Sequence, residues 1–433
     1  MQQKRRTFLK LSGMALTASA LPFNIIHAQP RNKKINADTL KVGLIGCGGR
    51  GSGAANQALS ADPNVVLHAM GDLFADQLQK SLTNLQEIHG DKANVSPEHQ
   101  YVGFDAYKKV LASGVDVVIL ATTPSFRPLH IEAAVEAGKH IFCEKPVAVD
   151  AAGIRKVLEA SKKAKAKNVS IVSGFCWRFH EPKRVIFGKI NAGAIGKVSA
   201  VYNTYNTGAT YRSWQEQNPR LESAEWQLRN WPFFNWLSGD HIVEQAVHSV
   251  DMMSWAFGDV NPVSAVATGG RQVRTDPKTG NIYDHFAITY EYPGGAKGFH
   301  ISRQQAGCEN SYSVEAWGSK GRALIDCSRN IHQIDNNGKL WNYTGEQNDM
   351  YQTEHDELFA AIRKGKTISQ GDAVAHGSML AIFGRMAAYT GKKIAWEEAI
   401  NSQEILGPDP SAYHFDLTIP VTAVATPGVT PFK

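Results

Sequence analysis

A chain of 433 residues, 43% apolar and 20% charged, is longer than one hydrophobic core usually organises and has the make-up of an ordinary soluble globular protein, so two domains are expected. Its net charge is +6, but Lys4, Arg5, Arg6 and Lys10 supply four of those charges and residues 1–28 hold no acid, which leaves +2 for the rest. That balance excludes nucleic acid or a membrane surface as a charge-driven partner. In chain order, residues 1–28 come first. A basic start followed by the apolar, small-residue stretch 11–26 is too short to span a bilayer comfortably and reads as an export signal ending near Ala28. The run Arg5-Arg6-Thr7-Phe8-Leu9-Lys10 looks like the twin-arginine type, which carries folded proteins and predicts a periplasmic location without stable membrane insertion. Five cysteines (47, 143, 176, 308 and 327) show no paired short spacing, so no disulfide framework or CxxC metal site is expected.

Residues 41–45 form an apolar run that ends in Gly46-Cys47-Gly48-Gly49-Arg50-Gly51, followed by small residues. This reads as strand, glycine turn and helix start: Gly46 for the tight turn, Gly48 for close approach of a pyrophosphate, and Gly51 for helix-on-sheet packing. A second apolar strand, 65–70, leads to Asp72, 26 residues after Gly46. An acid there accepts from ribose hydroxyls and repels a 2′-phosphate, which favours NAD over NADP; the alternative is a solvated turn aspartate. The continuous apolar run 115–121 is that of a parallel strand covered on both faces, and it ends in Thr122-Thr123-Pro124. Residues 128–137 then read as a helix stopped by Gly138, and 140–143 as a strand ending at Glu144-Lys145-Pro146. A Rossmann domain is therefore predicted over 39–165, an α+β domain for substrate and oligomerisation over 166–410, and a tail over 411–433. The C-terminal helices are candidates to pack back on the Rossmann domain.

The ordered combination of the glycine motif, Thr122-Thr123-Pro124, His130, the run from Ala137 to Pro146, Trp177-Arg178-Phe179 and the segment 244–251 resembles the Gfo/Idh/MocA group of glucose-fructose oxidoreductase and inositol dehydrogenase-like proteins. The resemblance spans roughly residues 40–400. It implies a second domain built on an open, mostly antiparallel sheet, a dimer or tetramer, and a nicotinamide cofactor. It places Gly46, Gly48, Gly49, Arg50, Gly51, Asp72, Thr122, Thr123, Pro124, His130, Glu144 and Lys145 at that cofactor. Strand-like stretches such as 286–292 and 313–317, separated by turns such as Pro293-Gly294-Gly295, are compatible with it.

In the resembled family the Glu-Lys-Pro lysine, here Lys145, reaches the reacting hydroxyl, where an ammonium favours alkoxide character. A surface lysine is the alternative. Glu244 and His248 lie four apart in 243–257, which has helical spacing, so one face presents both. His248 is the candidate general base and Glu244 its orienting acid, although the family pattern usually has aspartate at the latter position. His241, Glu244 and His248 also fall on one stripe, a ligand set known for zinc or iron, but the lysine and glycine motifs call for hydride chemistry that needs no metal. The aromatic run Trp214, Trp226, Trp231, Phe233, Phe234 and Trp236, with Arg229, Asn230 and Asn235, is read as a sugar-binding surface; core packing is the alternative for any one ring. Arg178, Trp231, Trp236 and His241 are the substrate candidates, and a structural ion pair is the other reading of Arg178.

The function expected is an exported NAD-dependent dehydrogenase that oxidises a ring hydroxyl of a sugar or glycoside and keeps its cofactor bound. One alternative is a glycosidase that uses NAD transiently. The family group that works so lacks the Glu-Lys-Pro lysine and carries Tyr-Pro-Thr-His where this chain has Val243-Glu244-Gln245-Ala246-Val247-His248. The other is a cofactor-bound sensor without catalysis, because fold does not fix function.

Overall fold

Alternate residues of the central strands face two different cores. Val117 and Ile119 pack with Val42 and Leu44, whereas Val118 and Leu120 pack with Ile131 and Ile154, which is why residues 115–121 read as continuously apolar. The computed structural model describes residues 39–208 and 220–433, together with the backbone of Ile25–Ile26, which pairs with Thr367–Ile368. The segment 1–28, expected from the sequence to be an export signal, and Trp214 otherwise lie outside the described residues.

Six parallel strands form the first sheet: β1 (Leu40–Ile45), β2 (Val65–Asp72), β3 (Gln100–Val102), β4 (Val117–Leu120), β5 (His140–Cys143) and β6 (Ile171–Ser173), in the order β3-β2-β1-β4-β5-β6. This is the doubly wound dinucleotide-binding topology, whose ligands lie beyond the carboxyl ends of the strands where the order reverses between β1 and β4. The sheet runs on to Ser173 instead of ending near residue 165, because β6 pairs in parallel with β5 after the helix Ala151–Lys167.

The second sheet has nine strands: β7 (Val198–Thr207), β8 (Ser264–Gly270), β9 (His285–Glu291), β10 (Lys297–Gln304), β11 (Ser313–Gly318), β12 (Gly321–Asp326), β13 (Ile331–Asn336), β14 (Lys339–Asn342) and β15 (Ile394–Ala395). Their order is β14-β13-β12-β11-β7-β10-β9-β8-β15, and only β7 with β10 is parallel. One face buries the helices Val247–Ala256 and Gly371–Thr390; the other leaves Val266, Phe299, Ile301 and Trp317 exposed. The C-terminal helices do return to the first domain. Leu358, Phe359 and Ile362 of Met350–Arg363 join the core of β1, and Gly371–Thr390 packs on Ala151–Lys167. The segment after 406 is packed as well: Ile419 donates to the Glu222 carbonyl at 2.7 Å and Tyr283 Oη to that of Ala425 at 2.8 Å.

Candidate active site

The glycine turn shows which of its residues the protein itself requires. Gly46 has φ +95°, and a Cβ there would lie 2.6 Å from the Ala121 carbonyl carbon; a Cβ on Gly51 would lie 1.9 Å from the Gly46 oxygen. Both must be glycine for the turn and the helix Gly49–Ala61 to close on β1 and β4. Gly48 and Gly49 are different, since nothing lies within 4 Å of where their Cβ atoms would be. Their missing side chains leave room at a helix N-terminus with no acid in its first turn, a cradle suited to a pyrophosphate.

That cradle opens into a cavity of about 560 Å³ between the two domains. Asp72 lines it from the end of β2, and its carboxylate accepts from the Cys47 N–H at 2.6 Å and the Phe74 N–H at 2.9 Å. The acid thus holds the glycine turn against the strand end. Burial pushes its pKa up, against the pull of those two N–H groups. Thr122 and Thr123 line the cavity from the end of β4, with the Thr123 hydroxyl buried and without a partner. His130 lies beside them, its Nδ1 3.2 Å from Thr122 Oγ1 and its ring 4.3 Å from that of Tyr107. Burial lowers its pKa to about 3, so it is neutral. An open glycine cradle, an acid at the second strand end and an unpaired threonine hydroxyl fit a dinucleotide.

Beyond β5 the charges converge. Glu144 is buried and receives Arg50 Nε at 2.5 Å; Arg50 also lies 4.9 Å over the Tyr351 ring. A Cβ on Gly174 would sit 2.7 Å from Glu144 Oε2, so this glycine makes room for the pair. Lys145, followed by a cis peptide bond to Pro146, donates to the main-chain oxygen of Glu244 at 2.6 Å and lies 3.5 Å from its carboxylate. The predicted single helix over 243–257 is two pieces, His241–Glu244 and Val247–Ala256, broken at Gln245–Ala246, where the Ala246 N–H bonds the His241 carbonyl five residues back at 3.0 Å. The break still leaves Glu244, Gln245 and His248 on the cavity. The His248 ring lies 5.1 Å from that of Trp177, tilted by 41°, and its Nδ1 is buried without a hydrogen-bond partner. Burial first, then the positive charges of Lys145 and Arg50, hold its pKa well below the ordinary value, so the ring is a neutral proton acceptor.

The family description "Oxidoreductase family, NAD-binding Rossmann fold" matches residues 40–172, and the Gfo/Idh/MocA C-terminal domain matches 188–324. The chain belongs to the Gfo/Idh/MocA oxidoreductase family. Myo-inositol 2-dehydrogenase of Thermotoga maritima is 23% identical over 85% of this chain and all of its own length. Two solved structures share the fold at 19% identity. Aldose-aldose oxidoreductase of Caulobacter crescentus has a TM-score of 0.65 over 82% of this chain and 99% of its own. Levoglucosan dehydrogenase, in complex with NADH and levoglucosan, has a TM-score of 0.66 over 83% and 99%.

Several residues read from the sequence as site members lie elsewhere in this family member. Arg178 is 2% exposed and forks onto Asp251 and Asp259, with contacts of 2.6–3.1 Å; it is a structural ion cluster, not a substrate contact. His241 is fully buried, its ring nitrogens facing the Tyr283 carbonyl and the Ser302 hydroxyl, so it neither meets substrate nor shares a ligand set with Glu244 and His248. No three metal-ligating side chains cluster among the described residues. Trp236 is core, its indole N–H given to Gln227 at 2.6 Å. Trp226, Phe233 and Phe234 are core too, Asn230 is buried and Asn235 bonds Asn281. Pro124 opens a short turn and does not line the cavity. Of the aromatic run Trp231 does line it, next to Arg229 and Leu228.

Sequence reasoning missed Tyr205, Gln245 and Tyr351, which complete the wall around Lys145 and His248. Tyr351 carries no motif and comes from the helix Met350–Arg363, 103 residues downstream of His248. Gln245 lies between Glu244 and His248 in sequence, and its side-chain oxygen accepts from the Gln304 amide.

Proposed function

We propose that the protein oxidises a ring hydroxyl of a sugar or glycoside to a ketone, or runs the reverse, with NAD that it retains through turnover. The observation that carries this is the meeting of Lys145 with a neutral His248 at the end of a cavity whose other end is the open glycine cradle. A bound nicotinamide dinucleotide supplies the hydride acceptor. Lys145 hydrogen-bonds the reacting oxygen and stabilises its growing negative charge, while His248 takes the hydroxyl proton. Glu244 anchors Lys145 through its main chain, and its carboxylate completes the charge pairing. Tyr205 offers a ring face to the apolar side of a pyranose, and Gln245 and Tyr351 offer polar groups to its hydroxyls, whereas Trp231, the ring read from the sequence as a substrate contact, packs with Phe74 and Phe104 at the nucleotide end. The names of the myo-inositol dehydrogenase relative and the levoglucosan dehydrogenase neighbour support a polyhydroxylated ring as substrate.

Asp72 favours NAD over NADP by repelling a 2′-phosphate. The Arg5-Arg6 start supports export to the periplasm with the cofactor in place, where free NAD is scarce and a second sugar would restore the oxidised form. The exposed apolar face of the second sheet supports a homo-oligomer. The test is absorbance at 340 nm (a property of NADH) of protein purified without added NAD, recorded while sugars and keto-sugars are added. Reduction by one class and reoxidation by the other is expected. Protein that holds no nucleotide, or shows no change with any sugar, overturns the proposal.

A further inference from the structure

The second domain reaches across the cavity at the Asp72 end, where a dinucleotide places its adenosine half. Leu228, Arg229 and Trp231 line the cavity there, opposite Phe74, Phe104 and Phe126 of the first domain. Arg229 bridges the two sides. Its guanidinium lies 3.9 Å over the Phe74 ring and forks onto Asp76 at 3.1 and 3.2 Å, while its Nε meets Glu225 at 2.9 Å.

A second tie runs through the C-terminal segment. Phe415 lies 5.0 Å from the ring of Phe104 and 5.8 Å from that of Phe74, and Tyr413 lies 5.0 Å from Phe126. That segment is fastened to the one bearing Arg229: Ala224 donates to the Leu417 carbonyl at 3.0 Å, and Gln227 Nε2 to that of Ile419 at 2.7 Å. Residues 221–231 and 413–419 therefore form one unit that is seated on both edges of the nucleotide end.

We infer that this unit is a clasp which sets how long the dinucleotide stays bound, with Arg229 and Asp76 as its latch and Tyr413 and Phe415 as its anchor. The inference rests on the dinucleotide reading of the cavity. Release requires the unit to lift, which separates the guanidinium from Phe74 and Asp76 and opens the ring cluster. The latch charges are partly exposed, 17% for Arg229 and 59% for Asp76, so salt weakens the latch, whereas the aromatic anchor is indifferent to salt.

The experiment loads full-length protein with NADH, mixes it with excess NAD and follows the loss of bound-NADH fluorescence at low and high salt. Wild-type release should quicken with salt. Arg229→Ala and Asp76→Asn should each release about tenfold faster and lose most of that salt dependence. Arg229→Lys, which keeps the charge, should release more slowly than Arg229→Ala, and Phe415→Ala should speed release while keeping the salt dependence. Melting curves confirm that each variant is folded, and Asp76, outside the cavity lining, tests the latch without touching the cavity wall. Unchanged release in both latch variants overturns the clasp and leaves the dinucleotide reading standing. Wild-type protein that takes up no NADH overturns both.

Discussion

The ammonium of Lys145 is held at 2.6 Å by the main-chain oxygen of Glu244, while the Glu244 carboxylate stands 3.5 Å away. The lysine at a Rossmann strand end is thus positioned by the second domain's backbone, which no side-chain substitution removes. Lys145→Ala should lower kcat by about a hundredfold or more with nucleotide binding retained, and Glu244→Gln should cost far less. Steady-state kinetics beside NADH titration separates the two; equal losses would show that the carboxylate, not the main chain, holds Lys145.

His248 titrates low because it is buried and because Lys145 and Arg50 are positive. His248→Asn should lower kcat/KM by about 10² to 10⁴. Replacing Lys145 by Met removes one of the charges that depress the imidazole pKa, so residual activity should fall away at a higher pH than in the wild type as acid is added. A pH profile with its acid limb unmoved would argue against contact between these groups.

Gly48 and Gly51 should respond in opposite ways to one methyl group. Gly51→Ala forces a Cβ to within 1.9 Å of the Gly46 oxygen and should cost stability, read as a lowered Tm. Gly48→Ala meets no protein atom and should leave Tm near wild type, yet it places a methyl in the pyrophosphate cradle and should weaken NAD binding at least tenfold by calorimetry.

Arg178→Met removes the cation from the buried carboxylate of Asp251 and the partly buried one of Asp259. Breaking a buried pair from one side costs about 3–5 kcal/mol, so a large fall in the denaturant midpoint is expected, with KM unchanged in the protein that remains folded. A selective rise in KM would return Arg178 to the substrate site.

Buried neutral histidines make the fold sensitive to acid. Burial holds His130, His300 and His355 at about 3, against an ordinary value of 6.5. The unfolded chain takes up protons at these positions below pH 6.5 and the native chain does not. Their contribution to stability is therefore full above 6.5 and is lost as the pH falls from there toward 3. Each histidine adds a slope of about 1.4 kcal/mol per pH unit within that window. Urea midpoints flat above pH 7 and falling steadily from pH 6 to 4 are the expected result.

The local features of this fold were legible because they are local. The glycine turn, the apolar strands of the first sheet and the Lys145 strand end each need only neighbouring residues to be recognised, and the structure places them as their spacing suggests. The rest depended on contacts between distant segments. Arg178 meets Asp251 and Asp259, 73 and 81 positions away, and its sequence surroundings look the same whether it holds a substrate or a carboxylate. His241 and His248 share a stripe only on an unbroken helix, and the break at Gln245–Ala246 sends them into different surroundings. Tyr205 and Tyr351 arrive from a sheet strand and a C-terminal helix that only the tertiary fold brings to the cavity.

Leu358, Phe359 and Ile362 complete the core that Val42 and Leu44 begin, some 300 residues earlier. A nascent chain on the ribosome therefore makes all six Rossmann strands while one face of the sheet, covered by the helices Gly49–Ala61 and Ala75–His89, still lacks the last part of its cover, and the apolar groups there stay wet until the helix Met350–Arg363 has been translated. The nucleotide-binding half, first to be synthesised, is among the last to be finished, so a truncated or stalled chain presents a sticky surface to chaperones and proteases.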